Sequence, residues 1–186
     1  MTQSLQETLK SRLKPGRYQH TLGVVKTAAR LARRHGVGEK KVSTAAWLHD
    51  CAKALSRDEM EKLLSAAKAD PQERALPPLW HAPVGALLAR RVYGVQDPEI
   101  LRAIRFHSTG SPGMTRLQKV LFVADYIEPG RPSWPELKSL RALAGRDLNL
   151  AFLDVLRCKL LDLLESGRPL HPRSIKAYHS ALRPNS

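Results

Sequence analysis

The sequence of 186 residues has two cysteines, few aromatic residues (5%) and no long apolar run. Cys51 and Cys158 form neither a CxxC pair nor a disulfide framework, which indicates a reducing compartment. No segment approaches the roughly 18 consecutive apolar residues that cross a bilayer. The segment Met1–Lys10 lacks the apolar centre of a signal peptide. These absences predict a cytoplasmic protein without a membrane partner.

Acidic residues are also scarce, with 17 Asp and Glu against 31 Lys and Arg, and the formal net charge is +14. Such a charge attracts polyanions, which include nucleic acids, nucleotides with several phosphates and acidic membrane surfaces. It is equally compatible with a basic solubilising surface. The basic residues are scattered along the chain, so charge alone does not select a partner.

Helical signals dominate the chain, and the alternation expected of strands is missing. Capping-box spacings mark helix starts at Ser56–Glu59, Asp70–Glu73, Thr115–Gln118 and Ser133–Glu136. The composition, 42% hydrophobic and 26% charged, is that of a globular protein. The length suits one domain with a full core. We predict an all-α fold of about ten helices in a single domain spanning residues 1–186.

Six side chains that commonly bind metals lie in apolar surroundings: His20, His49, Asp50, His81, His107 and Asp125. A single histidine on an apolar helix face is more often a hydrogen-bonded core residue than a ligand. Six such groups in one small core would instead repel or stay unsatisfied, unless a cation organises them. Imidazole and carboxylate together suit iron, manganese, cobalt, nickel or zinc, and the absence of cysteine pairs argues against a structural zinc site.

The pattern formed by His20, His49-Asp50 and Asp125 resembles the HD-domain superfamily of metal-dependent phosphohydrolases. The surrounding sequence is most similar to the YqeK-type HD proteins, which are symmetrical bis(5′-nucleosyl)-tetraphosphatases. Five stretches in the same order carry the resemblance: RYQHTLGV at 17–24, AAWLHDCAK at 45–53, HSTG at 107–110, ADYIEPGR at 124–131 and HPRSIKAY at 171–178. The resemblance therefore covers nearly the whole chain.

The resemblance implies a compact HD-domain helical fold and assigns roles to individual residues. The primary metal ligands would be His20, His49, Asp50 and Asp125. The metal would be iron, with manganese, cobalt or nickel as alternatives. His81 and His107 would bind either a second metal or a substrate phosphate. Asp50 and Lys53 would be catalytic, and the substrate-binding residues would be Gly23, Ser108, Thr109, Arg131, Arg173 and Tyr178. The tail at residues 168–186 would border the substrate.

The activity implied is symmetrical hydrolysis of a dinucleoside tetraphosphate, such as diadenosine tetraphosphate, to two nucleoside diphosphates. One alternative is another HD-type nucleotidase or nucleoside-triphosphate phosphohydrolase. A second alternative is a non-enzymatic nucleic-acid-binding helical protein, suggested by the charge. The basic residues are not grouped on one recognition helix, so we do not expect nucleic acid as a specific partner. The expected partner is a dinucleoside polyphosphate or nucleotide, and oligomer formation is left open.

Overall fold

The computed structural model describes residues 2–182 of the chain, and side chains from residue 5 to residue 182. Within these residues the regular structure is helical throughout, which confirms the predicted all-α fold of about ten helices. Two short 3-10 helices cover Cys51–Ala54 and Pro77–Leu79. The α-helices are α1 (Thr2–Arg12), α2 (Pro15–Arg34), α3 (Glu39–Leu48), α4 (Arg57–Leu63), α5 (Pro71–Ala75), α6 (His81–Arg91), α7 (Pro98–Phe106), α8 (Arg116–Ile127), α9 (Leu137–Arg146), α10 (Leu148–Glu165) and α11 (Pro172–Leu182).

Among the described residues, no helix combines the length and hydrophobicity that a bilayer crossing requires. The single domain and its substrate-bordering tail at 168–186 stay predictions. Residues 183–186 of that tail lie outside the described part of the chain.

Most helix starts follow the local signals in the sequence. The capping boxes of α4, α5 and α8 form as predicted, with reciprocal bonds between the N-cap residue and the residue three positions later. The box predicted at Ser133 is wrong, because α9 begins only at Leu137 and has no side-chain cap. Trp134 would be the first helical residue of that box. It precedes Pro135, and a residue before proline is disfavoured in the α conformation.

Helix α8 is the centre of the main hydrophobic core. It packs against α2, α3, α7 and α10, and every residue from 120 to 125 is buried. A second, smaller core contains Leu64, Trp80 and Val84 and lies between α4 and α6. Because α8 is covered on several sides, Asp125 is held in a fixed position at depth, where an unpaired carboxylate would be costly.

An ionic network fixes the start of α11. Glu73 on α5 has only 2% of its side chain exposed, and both carboxylate oxygens accept hydrogen bonds from Arg105 of α7. Arg173 of α11 donates to Glu73 and to Asp70, which is the N-cap of α5. His171 also lies 3.4 Å from Asp70. The network therefore ties α11 to α5 and α7.

Removing the charge of Glu73 should destabilise the fold. Replacing Glu73 by Gln leaves two guanidinium groups without their buried partner, and we expect a loss of about 3 kcal/mol in the free energy of unfolding. For a chain of this size that corresponds to a fall in Tm of about 6–12 °C. Thermal unfolding followed by circular dichroism measures it. The exposed Glu61→Gln is the matched control, and an equal, small effect of both variants would contradict the account.

The same variant should change the acid side of the stability curve. Burial opposes ionisation of Glu73, but hydrogen bonds from Arg105 and the backbone of Asp70 leave its pKa below the ordinary value. A carboxylate whose pKa is lowered by folding stabilises the folded protein at pH values above its unfolded pKa. That contribution to stability is lost as the pH falls through the folded pKa. Denaturant titrations at several acidic pH values should show a shallower loss of stability in Glu73→Gln.

Candidate metal centre

Helices α2 and α8 and the turn after α3 bring the first group of ligand-type side chains together. His20 lies within α2, Asp125 lies near the end of α8, and His49 directly follows α3. The Nε2 atom of His20 is 3.1 Å from Asp125 Oδ1 and 3.4 Å from His49 Nε2. His49 Nε2 is in turn 3.8 Å from Asp50 Oδ2. His20, His49 and Asp50 each offer an atom within 4.8 Å of the others, and Asp125 lies against both histidines, so a divalent cation could bind among them.

A second group shares Asp50 with the first. His81 is the first residue of α6, and His107 follows the last residue of α7. Their Nε2 atoms lie 3.2 Å apart, and each is 3.6 Å from Asp50 Oδ1. Asp50 Oδ1 therefore faces His81 and His107, whereas Oδ2 faces His49. The carboxylate has the placement of a bridge between two cation positions.

The histidine rings present lone pairs to the centre. His49 Nδ1 lies 2.6 Å from the carbonyl of Ala46, and His107 Nδ1 lies 2.7 Å from the carbonyl of Ile104. A carbonyl only accepts, so both Nδ1 atoms carry the proton and both Nε2 atoms are bare in the neutral ring. Burial lowers the pKa of His49 to about 4. His49 is therefore neutral at physiological pH, which is the form that binds metals.

Asp50 provides the clearest sign that a cation belongs here. Its side chain is 2% exposed, and Oδ1 has no hydrogen-bond partner among the described residues. Burial opposes ionisation, but the neighbouring His49, His107 and Lys53 hold the pKa of Asp50 well below its ordinary value. A buried, ionised oxygen facing two imidazoles is costly unless a cation neutralises it. The residues present therefore fit a divalent metal.

Glu128 is a part of the site that sequence reasoning missed. Its Oε1 lies 3.2 Å from His20 Nδ1, and its side chain is 3% exposed. A carboxylate on the second ring nitrogen fixes the orientation and proton position of a ligating histidine. The sequence held a signal, since Glu128 is the only acid that follows Asp125 before the break at Pro129-Gly130.

Gly23 makes room for Glu128. A Cβ atom at position 23 would lie 2.2 Å from Glu128 Oε2, well inside van der Waals contact. The prediction that Gly23 binds substrate remains untested, and the neighbour that the structure gives it is this carboxylate. Glycine at this position in α2 therefore allows Glu128 to reach His20.

Three basic side chains line the open cleft next to the metal centre. An open cleft of about 330 Å³ is lined by Arg17, Lys53 and Arg131 together with His20 and Asp50. Lys53 Nζ lies 2.9 Å from Asp50 Oδ2, with Arg17 3.8 Å from the same atom. Arg131 donates to Asp125 Oδ1 at 3.1 Å and to its carbonyl. Positive charge therefore flanks the centre on the Asp50 side and on the Asp125 side.

The other predicted substrate residues are more dispersed. Ser108 Oγ lies 2.9 Å from His81 Nε2, beside the second histidine pair. Thr109 is buried and donates to the carbonyl of Gly110, while Tyr178 is half-buried against the main core. Arg173 is engaged by Asp70 and Glu73. The structure therefore brings Ser108 to the centre and gives Thr109 and Arg173 other partners.

Lys159 of α10 is a further residue that sequence reasoning did not single out. Its Nζ lies 4.5 Å from the centre of the Phe122 ring, one helical turn before Asp125. Burial lowers the pKa of Lys159, while Asp125 opposes that shift. Among the described residues it has no acidic group within ion-pair distance. The available signal in the sequence was its spacing of three residues from the apolar Leu156.

Cys51 adjoins Asp50 but does not have the surroundings of a nucleophile. Its Sγ is buried and points towards the carbonyl of Gly85 at 3.7 Å. Burial raises the pKa of the thiol to about 12, so the thiolate is not formed at neutral pH. Cys51 therefore acts as a small buried side chain.

Comparisons with known proteins agree with this geometry. A family model described as the HD domain matches residues 17–130. A protein of Bacillus subtilis named symmetrical bis(5′-nucleosyl)-tetraphosphatase is 43% identical over 172 residues, which cover 92% of each chain. A protein of the same name from Halalkalibacterium halodurans is 39% identical over 178 residues, covering 95% of this chain and 94% of the relative.

A solved structure is also similar over almost the entire length. It is the crystal structure of a predicted HD superfamily hydrolase involved in NAD metabolism from Clostridium acetobutylicum. The TM-score is 0.92 at 33% sequence identity, and the match covers 98% of this chain and 97% of that chain.

Replacing Gly23 by Ala should weaken metal binding without unfolding the helix. The added methyl group displaces the Glu128 carboxylate from His20, and loss of such a support typically lowers metal affinity by about 10- to 100-fold. Calorimetric titration of the metal-free protein with Mn²⁺ measures this. Gly145→Ala is the control, because a Cβ there meets nothing within 4 Å. Equal affinities in both variants would remove Glu128 from the account.

Proposed function

This chain belongs to the HD-domain family, and we propose that it is a metal-dependent hydrolase that cleaves dinucleoside tetraphosphates symmetrically into two nucleoside diphosphates. The named relatives supply the substrate class. The observation that carries the proposal is Asp50, a buried carboxylate whose Oδ1 faces His81 and His107 and whose Oδ2 faces His49. The basic side chains that line the cleft can bind the negative charges of a phosphate chain.

The proposed ligands follow from the geometry and the family. His20, His49, Asp50 and Asp125 would hold the primary ion, for which we propose iron, with manganese, cobalt or nickel as alternatives. His81, His107 and the second oxygen of Asp50 would hold a second ion or meet a substrate phosphate. When bound, a divalent cation supplies Lewis-acid stabilisation of phosphoryl oxygens and lowers the pKa of nearby water.

The protein's own cations position the substrate. Arg17 and Lys53 lie beside Asp50, and Arg131 lies beside Asp125, so positive groups stand on two sides of the centre. A tetraphosphate carries several negative charges, and flanking cations would hold its two halves. With its two halves held in this way, the phosphate chain would have its middle at the histidine and aspartate cluster. Cleavage at the central anhydride then yields two equal products.

Asp50 has two tasks in this proposal. Asp50 would be one of the ligands of the metal, and its oxygens would orient the attacking water by accepting hydrogen bonds. Lys53, which donates to Asp50 Oδ2 at 2.9 Å, keeps that carboxylate ionised and can reach an incoming phosphate. The buried His49 stays neutral, so it competes with neither the water nor the substrate for protons.

The alternative of another HD-type nucleotidase or nucleoside-triphosphate phosphohydrolase uses the same centre and differs in how the phosphates are held. The presence of cations on both sides favours the symmetrical substrate. A non-enzymatic nucleic-acid-binding protein would have no need for six converging imidazole and carboxylate groups. The proposed location is the cytoplasm.

Product analysis tests the reaction directly. Metal-loaded protein incubated with diadenosine tetraphosphate should release ADP alone, because the middle anhydride of the substrate would be held at the metal centre. Ion-exchange chromatography of the nucleotides distinguishes the outcomes. Equal amounts of AMP and ATP would mean asymmetric cleavage and would contradict the proposal. Asp50→Asn, which keeps the shape and removes the charge, should lose at least about 100-fold in kcat/KM.

Lys159 should contribute to phosphate binding. With its ammonium group near Asp125 and without an ion-pair partner among the described residues, Lys159→Gln should raise KM for diadenosine tetraphosphate about tenfold with a smaller effect on kcat. Lys159→Arg should recover most of the loss, since it restores the charge. Steady-state kinetics measure both, with the exposed Lys62→Gln as control. A KM unchanged in Lys159→Gln would exclude this role.

A further inference from the structure

Six arginines from three segments that are distant in the sequence gather on one face of the molecule. They line two adjoining clefts of about 580 and 340 Å³, which have Arg34 and Arg146 in common. We call this set the arginine strip: Arg30, Arg33 and Arg34 of α2, Arg116 of α8, and Arg141 and Arg146 of α9. All are exposed except Arg141, which is half-buried.

The positive charge of the arginine strip is largely uncompensated within the described residues. Arg33 pairs with Glu39 at 2.7 Å, but both side chains are strongly exposed. The second acid is Asp147, whose Oδ1 accepts from the backbone at the start of α10. An exposed ion pair contributes little. Two acids therefore face six guanidinium groups, which repel one another unless an anion binds.

Backbone contacts hold some of these arginines in place without neutralising them. Arg34 Nε donates to the carbonyl of Gly145 at 2.8 Å. Arg141 donates to the carbonyls of Ile127 and Glu128. A carbonyl satisfies a donor but carries no net charge. The guanidinium groups are thus partly preorganised, which lowers the entropic cost of binding an anion.

The shape of the arginine strip favours a long phosphate chain. Its two clefts run into one another, and guanidinium groups bind phosphate oxygens bidentately. A membrane surface is less suitable, because a peripheral helix anchors through exposed apolar side chains. The leucines that line these two clefts, Leu31 and Leu148, are buried. The chemistry therefore matches a strand whose phosphates repeat along its length.

We propose that the arginine strip is a sequence-independent binding surface for the sugar–phosphate backbone of a nucleic acid strand. It differs from the catalytic cleft, which is lined by Arg17, Lys53 and Arg131. Arg141 contacts the backbone of Glu128, which lines the catalytic cleft. Three arginines of α2, one of α8 and two of α9 form the surface, so the sequence alone does not show that they lie together. The proposal does not depend on the hydrolytic activity.

Fluorescence anisotropy with labelled 20-nucleotide oligouridylate and oligothymidylate tests the proposal on the full metal-loaded chain. About six phosphate contacts predict a slope near −4 for the logarithm of the association constant against the logarithm of the salt concentration. The double variant R30Q/R146Q should bind at least about tenfold more weakly, with a slope shallower by about 1.4. Its hydrolysis of diadenosine tetraphosphate should stay unchanged. Equal binding of the two strands supports recognition of the phosphates, whereas a strong preference for one strand would mean that its sugar or base is also recognised and would contradict a sequence-independent surface.

R90Q/R91Q is the matched control, because it removes two exposed charges at the end of α6. It should bind within about twofold of the unmodified protein, since it lies outside the arginine strip. An equal loss in the control would mean general charge attraction and would overturn the proposal. So would a loss in Lys53→Gln but not in R30Q/R146Q, which would locate binding in the catalytic cleft. If tripolyphosphate binds as tightly as the strands, the arginine strip is a small-anion site and the proposal is wrong. The proposal is also wrong if R30Q/R146Q loses binding to phosphatidylserine vesicles but keeps its binding to the strands, because the surface would then bind membranes.

Discussion

The burial of Asp50 between two pairs of histidines is the constraint on which the rest of the site depends. Its two oxygens face different imidazoles at 3.6–3.8 Å, and Oδ1 has no hydrogen-bond partner among the described residues. A charge at that depth is costly unless something positive meets it. Lys53 meets Oδ2, but Oδ1 faces the imidazoles of His81 and His107, so a divalent cation is the group that fits beside it.

Helix ends bring the histidines to the buried Asp50. His49, His81 and His107 each lie at or just beyond the end of a helix, where the chain turns and a side chain can point along the core. Carbonyls of the same helices fix the ring nitrogens of His49 and His107. The buried helix α8 supplies Asp125, and Glu128 beyond its end holds His20. The helices that pack into the core are therefore the same ones that position the site residues.

Much of this was predictable because helical periodicity is local. His20 is one turn before the buried Val24, and the capping signals of α4, α5 and α8 act within four residues. Interactions between distant segments were not readable in this way. Glu128 meets His20 across 108 residues, and the arginine strip joins three helices. The capping box at Ser133 failed because Pro135 restricts its neighbour, a local rule that outweighs a spacing pattern.

Metal analysis of anaerobically purified protein, combined with turnover before and after chelation, tests the central claim most directly. The account predicts at least one divalent metal ion per chain, loss of diadenosine tetraphosphate hydrolysis when the metal is removed, and recovery when it is returned. Full turnover by protein that contains no metal would contradict it, because the converging imidazoles and carboxylates would then have no cation to bind.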